Sequence, residues 1–426
     1  MYRKRYLSIL FSLAFVIALQ LACRNEETKN DLSAHEVLTN YGHMAFAYGG
    51  YRTTTRNNVP TVEQLKEDMI ILNALGCHLI RTYHTQQFAQ VSNLLEAIKQ
   101  LNTEHPDFKM YVMLGSWIQC KDAWTSNPIH NQEDIKNNRA EIDKAIEFAQ
   151  KYPDIIKIIA VGNEAMVHWA SGYFVSPNII LKYVRELQTM KQMERIDSSI
   201  WITSSDNFAS WGGGHAEYHT SDLDSLIKEV DYISLHTYPF HDTHYNPNFW
   251  YSDDTIDYNS DYERAKVLIS RAIIYAQKQY ENTKKYIHEI SPNKEIHIGE
   301  TGWASIDNHF YGANGSAASD EVKQSLYYHA MREWTNHSKI ACFYFEAFDE
   351  PWKDDRNING SENHFGLIEV DGKVKFPLWA EFEESNLSKY TRGEQLVKTF
   401  EGDSAKAISS LLNIPPKDSN LFIHQN

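Results

Sequence analysis

From residue 44 onward the chain alternates short, nearly continuous apolar runs with longer amphipathic stretches. The runs predict strands over Met44–Gly49, His78–Tyr83, Lys109–Leu114, Ile156–Val161, Ile200–Ser204, Asp231–His236, Glu295–Glu300 and Ala341–Glu346. Runs rich in Val, Ile, Leu, Phe and Tyr suit strands that are covered on both faces. Between them, Thr61-Val62-Glu63-Gln64 opens a helix whose apolar positions Leu65, Met69 and Leu72 recur at helical spacing, and Gly76 closes it. Similar patterns predict helices over Glu133–Lys151, Pro177–Met193, Tyr262–His288 and Asp320–Asn336. Eight strands alternating with helices fit a (β/α)₈ TIM barrel better than an open doubly wound sheet. Helix-to-strand connections are short, whereas strand-to-helix connections such as 115–131, 205–220 and 347–365 are long. In such a barrel the long loops gather at the C-terminal face, where sites are built.

The N-terminus departs from this pattern. Arg3, Lys4 and Arg5 precede an apolar run and then Ala22-Cys23, the layout of a secretory signal. Ala22-Cys23 resembles a bacterial lipoprotein cleavage site, with Cys23 as the lipidated residue; Gln20, where Leu is usual, keeps ordinary signal cleavage open. The expected layout is a signal peptide over 1–22, a polar tether over 23–40, a catalytic barrel over 41–385, and a C-terminal helical segment and polar tail over 386–426. The protein is then expected on the outer membrane or cell surface, or facing the periplasm, touching membrane only through its lipid anchor.

Composition narrows the chemistry. A net charge of −15, with no basic run in the body of the chain, argues against nucleic acid as a partner. The cysteines, at 23, 77, 120 and 342, form no zinc or disulfide pattern. His236, His241 and His244 share one loop without a recognised ligand spacing, so neither metal nor cofactor is expected. Seven of the ten Trp residues (117, 124, 169, 211, 250, 303 and 352) fall in the long loops, which suggests ring faces for stacking on sugars. Glu164 follows the fourth strand and Glu300 ends the seventh. In a closed barrel those strands face each other, so the two carboxyl groups can converge on one cleft. Glycosidic bond cleavage needs such a pair, one protonated and one ionised.

At this point the sequence resembles glycoside hydrolase family 17, the β-1,3-glucanases. The resemblance rests on Val161-Gly162-Asn163-Glu164, Gly299-Glu300-Thr301-Gly302-Trp303-Ala304-Ser305, Ile80-Arg81-Thr82-Tyr83, Tyr238-Pro239, the stretch from Phe345 to Lys353, and Glu362-Asn363-His364-Phe365-Gly366-Leu367. Ala304 departs from the Pro usual in plant members. The resemblance implies a retaining hydrolase of β-1,3-glucan such as laminarin, with Glu164 as general acid/base and Glu300 as nucleophile. It implies Asn163 on the substrate 2-hydroxyl, Tyr238 against Glu300, and Glu350, Lys353 and Glu362 as a charged group on the eighth loop. Tyr48, Arg81 and Tyr83 are expected at the cleft floor, with Arg81 alternatively a structural partner of a barrel carboxylate. Trp303, next to the nucleophile motif, is expected to stack on substrate. A monomer is expected. The rival readings are a β-1,3-glucan transglycosylase using the same residues and a noncatalytic glycan-binding lipoprotein.

Overall fold

The computed structural model describes residues 32–40, 44–86, 89–251 and 258–414. The chain divides into a leading unit, Met1–Ser33, and a unit from Ala34 onward. Cys23 and the signal segment lie outside the described residues.

Eight parallel strands close into a barrel: β1 Met44–Ala47, β2 Cys77–Arg81, β3 Tyr111–Ser116, β4 Ile156–Asn163, β5 Trp201–Asn207, β6 Ile233–His236, β7 Ile296–Gly302 and β8 Cys342–Phe345. Each strand pairs with the next in chain order, and β1 closes the ring on β8 through Ala45 opposite Phe343 and Phe46 opposite Tyr344. The architecture is a (β/α)₈ barrel. Helices α1 Val62–Ala74, α2 Gln90–Glu104, α3 Ile135–Lys151, α4 Pro177–Gln192, α5 Ser221–Glu229, α6 Asp261–Ile290, α7 Glu321–His337 and α8 Trp379–Glu384 follow the strands in turn. Both faces of each strand are covered, which is why β4 and β7 read as continuous apolar runs.

Local chemistry sets the helix ends. The Thr61 side chain accepts from the Gln64 N–H at 3.2 Å, and Gln64 Oε1 accepts from the Thr61 N–H at 3.0 Å, a complete capping box for α1. The side chains of Asp134, Ser260 and Asp320 cap α3, α6 and α7 by accepting from the N–H groups of Asn137, Glu263 and Lys323. At the far end of α1, Gly76 takes φ +79°, which stops the helix and turns the chain into β2.

Two flanking stretches differ from expectation. The tether expected over 23–40 includes a helix, Ala34–Thr39, with Ala34, Val37 and Leu38 buried. Its His35 meets Glu295 at 3.3 Å and the Trp201 ring at 5.7 Å, so it packs against the end of the barrel where β5 and β7 begin. Among the described residues, the segment after 385, expected to be helical, has one α-helix, Ser404–Ser409; the rest of 386–414 is largely turns and short strands. Val397–Lys398 pairs with Lys373–Val374, and Arg392 and Leu396 are buried.

Candidate active site

β4 ends in an abrupt turn. Gly162 adopts φ +83° and Glu164 φ +45°, while the Glu164 N–H donates to the Ser205 carbonyl at 3.0 Å. A Cβ on Gly162 would lie 2.9 Å from Ala165 Cβ and 3.0 Å from Ile180 Cδ1, so the turn needs glycine. A left-handed glutamate is uncommon and is held here by its surroundings. The Glu164 side chain keeps 26% of its surface exposed, and its Oε1 lies 3.2 Å from His236 Nδ1.

Glu300 on β7 sits deeper, with 9% of its side chain exposed. Its Oε2 accepts from Arg81 Nη1 at 2.7 Å and from the Tyr83 hydroxyl at 2.8 Å; its Oε1 accepts from the Tyr238 hydroxyl at 2.7 Å. Burial opposes ionisation of this carboxyl. The charges of His236 and Arg81, with the two phenol donors, outweigh burial and hold it below the ordinary glutamate value. Charge-assisted bonds of this kind are among the strongest a protein makes.

Arg81 and His236 together link the two carboxylates. Arg81 Nη1 also donates to the Gly299 carbonyl at 2.8 Å and reaches His236 Nε2 at 3.0 Å, and its Nη2 donates to Asn163 Oδ1. His236 thereby stands between the two carboxylates, its Nδ1 facing Glu164 and its Nε2 beside Arg81 and Ser205. Ser205 Oγ lies 2.7 Å from His236 Nε2 and 2.7 Å from Ser234 Oγ, which fixes the ring from beneath. With Asn163 Oδ1 committed to Arg81, its amide nitrogen is the group left to donate toward a ligand. On β5, buried Asp206 accepts from the Met166 N–H at 2.7 Å and from Ser210 Oγ at 2.6 Å, bracing the loop that carries Glu164. Burial, aided by the Glu164 charge and opposed by Ser210, raises the Asp206 pKa to about 6.

The eighth loop adds a second charged cluster. Lys353 Nζ lies 2.6 Å from Glu346 Oε2 and 3.3 Å from Glu350 Oε2, and 4.0 Å above the Phe345 ring. Glu350 Oε1 accepts from the Tyr51 N–H at 2.9 Å. Burial, reinforced by Glu350 and opposed by Lys353, pushes the Glu346 carboxyl well above the ordinary range. Two buried carboxyls therefore share one lysine. Glu362 is exposed on the rim nearby, close enough for its charge to act on Lys353.

Several expected positions fall elsewhere. Trp303 is fully buried, with its indole N–H on the Ala318 carbonyl at 2.8 Å and its ring against Phe240, Trp250 and Tyr327. No ring face is left for a sugar, because the loop after β7 folds over it. Trp211 and Trp250 are buried in the same manner, each on a backbone carbonyl. Trp117, Trp124, Trp169 and Trp352 keep exposed surface. Tyr48 does not line the cleft floor: it is buried, and its hydroxyl donates to Asp68 on α1 at 2.9 Å. Arg81 is also buried and takes the alternative place expected for it, as partner of the barrel carboxylate Glu300, beside His236 and Asn163. His241 instead meets Tyr311, and His244 stacks on Phe310, so the three histidines of this loop do not converge. Sequence reading missed His236 as the neighbour of Glu164, and it missed Asp206 and Glu346. Glu346 stood within the quoted motif, but nothing local signalled its burial.

A closed parallel barrel with two carboxylates in unlike environments at its C-terminal rim is the equipment of a glycoside hydrolase. Residues 45–366 match the model of the BtgE/BtgC glycoside hydrolase domain, and the chain belongs to that family. It is similar to an endo-laminarinase from Formosa Hel1_33_131, known from a crystal structure, with 49% identity and a TM-score of 0.88 over 93% of this chain and 100% of that one. It is 25% identical to a glucan 1,3-beta-glucosidase of Arthroderma benhamiae over 79% of this chain and 90% of the relative. It is 23% identical to the Aspergillus terreus protein named "Probable glucan endo-1,3-beta-glucosidase btgC" over 74% of this chain, but spans only 41% of that protein's length.

Proposed function

We propose that this enzyme hydrolyses internal β-1,3-glucosidic linkages of laminarin-type glucan with retention, by the chemistry of glycoside hydrolase family 17. The observation that carries the reading is the contrast between the two carboxylates. Glu300 is buried and held ionised by Arg81, Tyr83 and Tyr238, whereas Glu164 is solvent-reachable beside His236. The likeness to the Formosa endo-laminarinase supports the choice of substrate.

In the first step Glu164 gives its proton to the glycosidic oxygen while a Glu300 oxygen attacks the anomeric carbon, and the carbon–oxygen bond to the leaving sugar breaks. In the second step Glu164 takes a proton from water. The resulting hydroxide attacks the anomeric carbon and releases Glu300 as a carboxylate. The Asn163 amide would donate to the sugar 2-hydroxyl, where the bond strengthens as positive charge builds on the ring.

The test is a pair of variants. Glu300→Gln should abolish turnover of laminarin. Glu164→Ala, given an aryl glycoside that needs no protonation and added azide, should yield a β-glycosyl azide. Azide rescue at 300 through an α-azide, with none at 164, would reverse the assignment. Products longer than the input glucan would mark a transferase using the same residues.

The leader supports a second element of this reading, lipidation at Cys23 and residence on the outer membrane or cell surface. Cys23→Ser should move the protein from the membrane fraction to the soluble one. A variant that stays membrane-bound with its leader uncleaved would refute this.

A further inference from the structure

The loops after β2, β3 and β4 build an aromatic stack at the mouth of the barrel that the catalytic steps leave unused. His84 lies flat on Trp117, with centroids 4.5 Å apart and planes 11° apart. Trp117 packs on Tyr173 at 4.8 Å, and Tyr173 on Trp124 at 4.8 Å and 27°. Both indole N–H groups donate to the same atom, Gln119 Oε1, at 3.3 Å and 3.2 Å. The ring edges are thereby pinned; Trp117 is packed by His84 and Tyr173, and Tyr173 packs on both indoles, which leaves Trp124 as the outer ring. The loops are locked to each other as well, since the Trp124 N–H donates to the Gly172 carbonyl at 2.7 Å and the Cys120 N–H to the Tyr173 carbonyl at 3.0 Å. A Cβ on Gly172 would come within 3.2 Å of the Trp124 ring, so a glycine lets the indole lie against the backbone.

Trp124 is nevertheless 63% exposed, and Trp117 and Tyr173 are only half-buried. A rigid indole left in water forgoes most of the stabilisation its burial would bring. Exposed apolar surface on a preorganised frame marks a binding surface. The stack also touches the catalytic turn, because the Tyr173 hydroxyl donates to the Asn163 carbonyl at 3.4 Å.

We propose that Trp124, braced by Trp117 and Tyr173, forms a distal subsite that stacks the apolar face of a glucosyl unit in a β-1,3-glucan chain running out from the catalytic pair. This rests on the substrate reading above. The pyranose of a β-glucan carries its hydroxyls around the ring edge and C–H groups on its faces, so it matches flat rings whose own N–H groups are already bonded. Only chains long enough to reach from Glu164 to Trp124 gain from the subsite.

The experiment uses the full chain carrying Glu300→Gln, titrated calorimetrically with laminaribiose and laminarihexaose. The hexaose should bind at least tenfold more tightly than the biose. Adding Trp124→Ala should erase that gain, and adding Trp124→Phe should keep most of it, at unchanged melting temperature. A footprint without further substitution gives an independent readout: laminarihexaose, but not laminaribiose, should protect Trp124 from hydroxyl-radical oxidation. Equal hexaose affinity with and without Trp124→Ala, equal weakening of both sugars, or no protection of Trp124 would overturn the subsite. If the Glu300→Gln protein bound neither sugar, the glucan reading itself would fall, and the subsite with it.

Discussion

At Glu300 the decisive quantity is the balance between burial and donors. A carboxylate this buried would, on its own, keep its proton near neutrality. Arg81, His236, Tyr83 and Tyr238 reverse that, so its pKa in the folded protein lies below its unfolded value. The stability linked to this group is therefore fully present above the unfolded pKa and is lost as pH falls through the folded one. Tyr238→Phe keeps the ring and removes the donor on Oε1. A hydrogen bond to a charged group contributes about 1.5–3 kcal/mol. The acidic limb of the pH profile of kcat/KM should therefore move up by about one unit or more. An unmoved limb in a folded variant would show that the phenol does not tune Glu300.

At the scale of the element, the end of β4 sets where the solvent-reachable carboxylate stands. Gly162→Ala would put a methyl group 2.9 Å from Ala165 Cβ at φ +83°. A left-handed conformation costs an L-residue about 1–2 kcal/mol before any clash. The variant should melt lower and lose more activity than stability, because the turn that delivers Glu164 shifts; retained kcat/KM in the folded fraction would contradict this. The eight strands were legible because a strand buried on both faces writes an uninterrupted apolar run, and each helix of α1, α3, α4, α6 and α7 writes a 3.6-residue stripe. The carboxylates at the ends of β4 and β7 were legible because each follows such a run directly. Helix α2, with Val91, Leu94, Leu95, Ile98 and Leu101 on its buried face, carried the same stripe and went unnamed. Of the site's partners, Tyr238 against Glu300 and Arg81 as partner of a barrel carboxylate were expected, whereas His236 beside Glu164 was not legible, since the two meet across 72 positions of sequence. Loop position could not separate Trp303 from Trp124 either. The first has its indole N–H on a loop carbonyl inside the fold, and the second has it on Gln119 at the surface.

At the scale of the whole molecule, the segment after 385 is built into the barrel. Arg392 Nε donates to Asp68 Oδ1 at 2.9 Å and its Nη1 to the Val370 carbonyl at 2.6 Å, with the guanidinium 4.3 Å over the Phe348 ring. Asp68, on α1, also accepts from Arg52 at 2.8 Å and from Tyr48 at 2.9 Å. One buried carboxylate thus ties together α1, the loop after β1, the end of β1 and the C-terminal segment. Phe348 stands two residues before Glu350, and its ring meets Tyr48 edge-on at 6.2 Å, so this knot lies directly behind the charged cluster of the eighth loop. Breaking a buried ion pair from one side costs about 3–5 kcal/mol when the other charge is stranded. Arg52 still neutralises Asp68, and Tyr48 still donates to it, when Arg392 is gone, which places Arg392→Ala at the low end, about 3 kcal/mol. Urea unfolding should show that loss as a lower midpoint with an unchanged slope, and truncation after residue 385 should cost more, since it also removes buried Leu396 and Ala407. A truncated chain that unfolds at the same midpoint as the full one would make the segment a passenger. A lower midpoint together with weakened glucan turnover would show that it holds the eighth loop in place.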